Sequence, residues 1–304
     1  MDIVSSKKSS QFTALLENNV LGQVERMRLN PNRRLTNRSR GEHLSGKGGS
    51  STDFADYRDY VPGDDMRYVD WNIFARLNRP YIKQFQHEEE MHVVLLIDAS
   101  TSMKFENKFE RAQQVAAALG VMGLMNIERV SAYSFNHAGG KPLFMPPKTG
   151  RQSMQQLLRF LEGLEAGGDF PVEDAIESML RLHRGRGVAI VISDFLTFGE
   201  VSRAFNMLFS AGLEIFAAQV LAPSEIEPDT TGDIRFVDSE TGHTLDITSA
   251  GDLMGIYREH RMALEDQLSR LCRQRSGRFV AVNSGDSIEH ILFDLLTRQG
   301  WVNR

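Results

Sequence analysis

The chain has 304 residues, of which 41% are hydrophobic and 25% charged, with 35 Lys and Arg against 40 Asp and Glu. That composition excludes a disordered or low-complexity protein and supplies enough apolar material for one large core with an appendage. A single cysteine, Cys272, excludes an internal disulfide and a thiolate metal cluster, and no stretch approaches the roughly twenty apolar residues needed to span a bilayer, so a cytoplasmic protein without membrane insertion is expected.

The charge is uneven. Residues 1–50 hold nine Lys and Arg against four Asp and Glu, leaving twenty-six against thirty-six in the remainder. This basic arm has neither a recognisable binding module nor interleaved aromatics, so nucleic acid is not an expected partner. Within it, Phe12, Leu15, Leu16, Val20 and Val24 fall at helical spacing and predict an amphipathic helix over 10–28. The polar, Gly- and Ser-rich stretch that follows reads as an extended loop. From Asp53 to Glu90 aromatics and paired charges become dense, which predicts a folded element. There Pro62-Gly63 marks a tight turn, around which Arg58, Asp64, Asp65, Arg67 and Asp70 can pair while Tyr60, Tyr68 and Trp71 bury their rings.

After Met91 short apolar runs alternate with helical stretches, the pattern of a mostly parallel sheet covered on both faces. Strands are predicted at 92–97, 130–135, 188–193, 213–220 and 278–282, each of strand length and rich in β-branched residues. Helices are predicted at 108–126, 151–163, 172–184, 200–211, 252–275 and 287–298, and a hairpin at 234–247. The expected organisation is a 1–90 region of helix, basic loop and charge-paired strap, followed by an α/β domain over 91–304.

Three motif-like segments fail on physical grounds. Gly41-x-x-x-x-Gly46-Lys47 ends in Gly48 and follows no strand, so it lacks the scaffold of a phosphate loop. His87 and His92 sit five apart and would not share a helical face, as a zinc-peptidase helix requires. Arg184-Gly185-Arg186-Gly187 is one short copy between helix and strand and reads as a turn.

The strand at 92–97 ends directly in Asp98-Ala99-Ser100-Thr101-Ser102, and Asp194 leaves the strand at 188–193 in the same way. Open α/β sheets bind ligands at the carboxyl ends of their strands, and a carboxylate with two hydroxyls on one tight loop suits a hard cation. Each residue also has a bland role, since Ser caps helices and Asp ends strands in turns. Asp98-x-Ser100-x-Ser102, with Asp194 after a later strand, resembles the metal-ion-dependent adhesion site of von Willebrand factor A-type domains. The resemblance implies a doubly wound, Rossmann-like α/β fold with an N-terminal arm. It implies Mg2+, or Mn2+ or Ca2+, at Asp98, Ser100, Ser102 and Asp194, with a partner's acidic group completing the coordination. The family's second loop corresponds to Ala166-Gly167-Gly168-Asp169, where Asp169 stands in place of the usual Thr, either as a ligand or as a cap for the next helix.

Further upstream, Phe54-x-x-x-Arg58-x-Tyr60-x-Pro62-Gly63-Asp64-Asp65-x-Arg67-x-x-Asp70-Trp71, with Ala75-Arg76 and Lys83-x-Phe85, resembles the signature of a bacterial family. Its members carry an A-type domain, have no assigned activity, and are commonly encoded beside MoxR-type AAA+ ATPases. The resemblance implies a non-enzymatic interaction module, a metal-assisted adaptor that works with such an ATPase on a client protein. A Mg2+-dependent phosphohydrolase is the alternative, weakened because no second Asp lies two residues after Asp98.

Overall fold

The computed structural model describes residues 11–32, 36–37, 52–88, 91–126, 128–136, 142–168, 172–196, 200–228, 234–237, 244–247 and 251–303. They divide into two units, Met1–Asn32 with Met91–Arg304, and Arg33–Glu90. Residues 11–32 thus group with the body and not with the strap, a different division from the one expected at residue 90.

In chain order the body contains α1 (Asn18–Val24), β1 (Arg28–Leu29), and then, beyond the smaller unit, the elements of the main sheet. The smaller unit contains β2 (Thr36–Asn37), β3 (Thr52–Asp59), α2 (Trp71–Leu77) and β4 (Tyr81–Glu88). The main sheet and its helices are β5 (His92–Asp98), α3 (Lys108–Met125), β6 (Arg129–Phe135), β7 (Leu143–Lys148), α4 (Met154–Glu162), α5 (Val172–Leu182), β8 (Gly187–Ser193), α6 (Val201–Ser210), β9 (Leu213–Leu221) and α7 (Pro223–Ile226). A hairpin of β10 (Ile234–Val237) and β11 (Thr244–Ile247) precedes α8 (Gly251–Arg273), β12 (Arg278–Asn283), α9 (Leu296–Arg298) and β13 (Val302–Asn303).

Six strands form one sheet in the order β12-β9-β8-β5-β6-β7, parallel throughout except for β7. The expected doubly wound, mostly parallel α/β fold is therefore present. Alternation along β5 shows how both faces are covered. Val93, Leu95 and Ile97 enter the core shared with α1, α3, α4 and Trp301, while Val94 and Leu96 enter the core shared with α5, α6 and the end of α8. Close approach of α3 depends on Gly120, where an added Cβ would lie 2.7 Å from Leu157 and 2.9 Å from Leu95. The chain leaves β5 toward β6 and later returns to β8 on the other side, so the strand order reverses between β5 and β8. That switch point opens a crevice at the strands' carboxyl ends.

Three local expectations change, and the predicted hairpin at 234–247 forms. The helix of 10–28 is confined to Asn18–Val24, because residues before it turn away: Ala14 N donates to Glu162 Oε1 at 2.9 Å, and Phe12, 48% exposed, leaves the apolar stripe. Residues 290–295 form a π-helix ahead of α9, where an α-helix over 287–298 was predicted. β7 is an unpredicted antiparallel edge strand that contains Pro146 and Pro147, residues tolerated only at an edge. The hairpin pairs Ile234 with Ile247 through Val237 with Thr244, and its Ser-Glu-Thr-Gly loop lies outside the described residues.

The smaller unit is a three-stranded antiparallel sheet, β2-β4-β3, with a bulge between Phe54 and Asp56. Its turn is held by charge. The Arg58 guanidinium donates to both Asp64 oxygens at 2.6 and 2.7 Å, and Asp64 also accepts from Val61 N at 2.8 Å. Asp70 caps α2 by accepting from Asn72 N and Ile73 N, binds Tyr57 Oη at 3.0 Å and pairs with Lys83 at 3.1 Å. The Ile73 N–H, then Lys83, hold its carboxyl down at about 2. Tyr60 and Tyr68 are half-buried, but Trp71 does not bury its ring and is 55% exposed.

Candidate functional site

Asp98 is the last residue of β5, and Ser193 and Asp194 end β8 and begin the loop beyond it, so both acids stand at the switch point. The Asp98 carboxylate is 3% exposed and fully engaged. Its Oδ1 accepts from Ser100 N at 2.9 Å and Asn136 Nδ2 at 3.0 Å, and its Oδ2 accepts from Ser193 Oγ at 2.5 Å. Burial, and then the charge of Asp194, raise this carboxyl to about 6 against those three donors. Ser100 Oγ and Ser102 Oγ stand 3.0 Å apart.

The second loop is joined to the first through its backbone. Ser100 bridges Gly168 as in a parallel ladder, Thr101 N donates to Gly168 O at 3.2 Å, and Gly167 N donates to Ala99 O at 2.7 Å. The next residue, Asp169, lies outside the described residues. Gly168 N also donates to Asn136 O at 2.7 Å, tying the end of β6 into the same rim.

Asp194 is brought to this cluster, yet its charge has another partner. Its Oδ1 accepts from Leu196 N at 3.0 Å, and its Oδ2 accepts from Lys108 Nζ at 2.9 Å. Lys108 is wholly buried in the first turn of α3 and also donates to Glu225 Oε1 at 2.7 Å. Burial alone would lower its pKa, but Asp194 and Glu225 outweigh that and raise it, so the ammonium stays charged. Two carboxylates, Asp194 and Glu225, thus share one ammonium, and a third, Asp98, feels the charge of Asp194 without reaching the lysine. Two negative charges remain at a largely buried rim.

Backbone strain gathers here too. Six non-glycine residues have positive φ among the described residues, and four of them, Glu106, Asn107, Asn136 and Phe195, lie in rim loops. Phe195 at 57° is costly for a bulky side chain and persists because its N–H donates to Ser193 Oγ and its ring packs in the core. A cleft of about 520 Å3 opens beside the rim, lined by Met103, Lys104, Phe109, Glu110, Leu164 and Glu165.

Of the residues expected from sequence, the fold brings Asp98, Ser100, Ser102 and Asp194 together. Sequence reading missed Asn136, Ser193, Lys108 and Glu225. Asn136 and Ser193 could have been found by the strand-end rule that found the two acids. Lys108 sits in a polar run, Glu106-Asn107-Lys108, that reads as solvated surface. Among the described residues no group of three or more His, Cys, Asp or Glu could hold a metal. A cation at this rim would therefore depend on hydroxyls as well as carboxylates. No helix among the described residues is long and apolar enough to cross a membrane.

Fold and rim together define a doubly wound α/β domain with an oxygen-rich switch-point site, joined in the chain to a small antiparallel unit. The chain belongs to the family described as protein of unknown function DUF58, which matches residues 56–263. An uncharacterized protein of Mycobacterium tuberculosis strain H37Rv, Rv1480, is 33% identical over 211 residues, covering 66% of this chain. The chain spans 65% of that relative's length. An uncharacterized protein of Mycobacterium avium, MAV169, is 30% identical over 132 residues, 42% of this chain and 78% of its own. Among solved structures, the conserved hypothetical protein BatB of Bacteroides thetaiotaomicron superposes with a TM-score of 0.44 and 16% identity, over 69% of this chain and 98% of its own. The vWF domain of the type V pili tip protein Mfa5 of Porphyromonas gingivalis gives a TM-score of 0.29 and 17% identity, over 36% and 38% of the two chains.

Proposed function

We propose that this chain is a protein-interaction module whose rim holds a divalent cation, Mg2+ or Mn2+ or Ca2+, and that it serves a MoxR-type AAA+ ATPase as an adaptor in the remodelling or maturation of client proteins. The ion reading is supported above all by the separation of the two hydroxyls. Ligands about 2.1 Å from an octahedral Mg2+ stand about 3 Å apart along each edge. Ser100 Oγ and Ser102 Oγ are at that spacing, although the same distance also lets them hydrogen-bond to each other. The two uncompensated negative charges behind them favour a dication.

In this reading Ser100 and Ser102 hold the ion, and Asp98 and Asp194 supply charge from behind. Asp169 belongs to the set by its place after Gly168 in the sequence. When bound, the ion supplies positive charge that a partner's carboxylate can approach, with the adjoining cleft as room for the partner's neighbouring residues. The ATPase partnership rests on the signature over residues 54–85. Hydrolysis through Asp98 has less support, because both oxygens of that carboxylate already accept hydrogen bonds.

Co-migration with the MoxR-type ATPase on a sizing column tests both halves. The complex is expected in Mg2+ and is expected to dissociate with chelator or with Ser100→Ala/Ser102→Ala. A complex indifferent to chelator removes the ion from the mechanism, and no complex under any condition removes the adaptor role. Asp98-dependent turnover of phosphate esters would restore the hydrolase.

A further inference from the structure

The smaller unit separates the side chains that build it from those left outside. Arg58, Asp64, Asp65, Arg67, Asp70 and Lys83 are consumed in pairs that hold the turn and cap α2. Twelve large apolar side chains are exposed among the described residues, and five of them, Tyr57, Val61, Met66, Trp71 and Leu77, fall within 57–77. Val61, Met66, Trp71 and Leu77 are each more than half exposed. Ile73 and Phe74 provide the partly buried side of α2, and Trp71 meets Phe74 edge to face, ring centroids 5.9 Å apart, while more than half of its own surface stays exposed. The stretch 71–80 contains no acidic residue, and Arg76 and Arg79 are exposed without an ion pair among the described residues.

We infer that α2 and the turn before it form a protein-docking surface for a partner segment that carries apolar side chains flanked by carboxylates. Trp, Met and Arg are the residue types that interfaces favour, and Trp and Arg dominate their energetics. Exposed apolar side chains held on a charge-locked scaffold are already ordered before binding, which lowers the entropy lost on association. The unpaired arginines set the sign of the partner. An anionic bilayer is the weaker match, since membrane attachment by charge uses clusters of four to eight basic residues and this stretch offers two. The surface is additional to the rim and needs no cation.

Selection of random peptides displayed on phage tests the inference with the full chain, carried out in chelator so that its outcome is independent of the rim. Parallel selections use Trp71→Ser/Leu77→Ser and Arg76→Glu/Arg79→Glu, each checked for an unchanged melting temperature. The wild-type chain is expected to enrich peptides with Asp or Glu beside aliphatic or aromatic residues, and these bind the Trp71→Ser/Leu77→Ser variant more than tenfold more weakly. The Arg76→Glu/Arg79→Glu variant is expected to enrich Lys and Arg in their place, a reversal that simple loss of structure does not produce. No enrichment over a blank surface, enrichment without acidic residues, or equal binding to the Trp71 variant overturns the inference. Phosphatidylserine vesicles that shift tryptophan fluorescence in wild type but not in the Trp71 variant, with no peptide enrichment, would make this a membrane contact.

Discussion

The two ends of the central sheet both bury polar groups, but the groups differ in kind. At the carboxyl end Asp98, Asp194 and Lys108 are 3%, 1% and 0% exposed, and each is engaged by hydrogen bonds or ion pairs. At the amino end His92 and His183 meet edge to face, with ring centroids 5.3 Å apart, and neither Nδ1 has a hydrogen-bond partner among the described residues. Burial pushes His92 down to about 4 and lowers His183 as well, so both rings are neutral. The amino end is also closed by chain: β1 pairs with β13, Trp301 is fully buried, and Arg278 donates to the carbonyls of Asn30 and Gly300. Charge in a protein interior is costly unless paired, so a fold needs no such cluster for its own sake. The open end keeps a cluster of such charges, whereas the closed end buries one carboxylate, Glu214, 1% exposed, whose two oxygens accept from Asn32 N at 3.0 Å with the charge of Arg278 nearby.

That contrast is most exposed at Lys108. Lys108→Ala leaves Asp194 and Glu225 without their ammonium and is expected to destabilise the fold by roughly 3–5 kcal/mol in urea unfolding. Lys108→Met combined with Asp194→Asn and Glu225→Gln should recover most of that loss, because neutral groups remove both the attraction and the repulsion. A neutral single variant would mean that the rim charges do not depend on one another. Mg2+ is the next largest effect. At a hundred times its dissociation constant it should add about 2.7 kcal/mol to the wild-type chain. Ser100→Ala/Ser102→Ala should show no increment on a melting curve. If the increment survives there, the ion binds elsewhere.

How far the sequence could show this depends on the range over which each feature is determined. The five predicted parallel strands are local in origin, because each is a run of β-branched and aliphatic residues of strand length, and all five occur. Asp98 and Asp194 were legible for a related reason, since a polar residue that ends such a run must emerge at the sheet's rim. β7 was hidden by its prolines, and β13 by its two-residue length, too short for any periodicity. The period of the first helix was read correctly, but tertiary hydrogen bonds to Glu162 override it before Asn18. Lys108 was invisible because its partners lie 86 and 117 residues away. Trp71 was misjudged because paired charges around it suggested burial, whereas its ring touches Phe74 only edge to face and is 55% exposed.

The amino end offers the smaller tests. An alanine at Gly187 would set its Cβ 1.9 Å from the His92 carbonyl oxygen, so β5 and β8 must part locally. Gly187→Ala is expected to cost roughly 1–3 kcal/mol, with the Mg2+ increment unchanged if the two ends act independently. The least effect concerns pH. With a folded value near 4 against about 6.5 in the unfolded chain, His92 takes up its proton in the unfolded state first. Its contribution to stability is fully present above pH 6.5 and is lost as pH falls toward 4; His183, also lowered, acts in the same direction. Arg129 disfavours protonation of both rings, and His183 also disfavours the charge on His92. His92→Phe keeps a flat ring beside Gly185 and removes one titrating group, so the urea midpoint should fall less steeply between pH 6.5 and 4 than in wild type. Equal slopes would show that the acid sensitivity lies elsewhere.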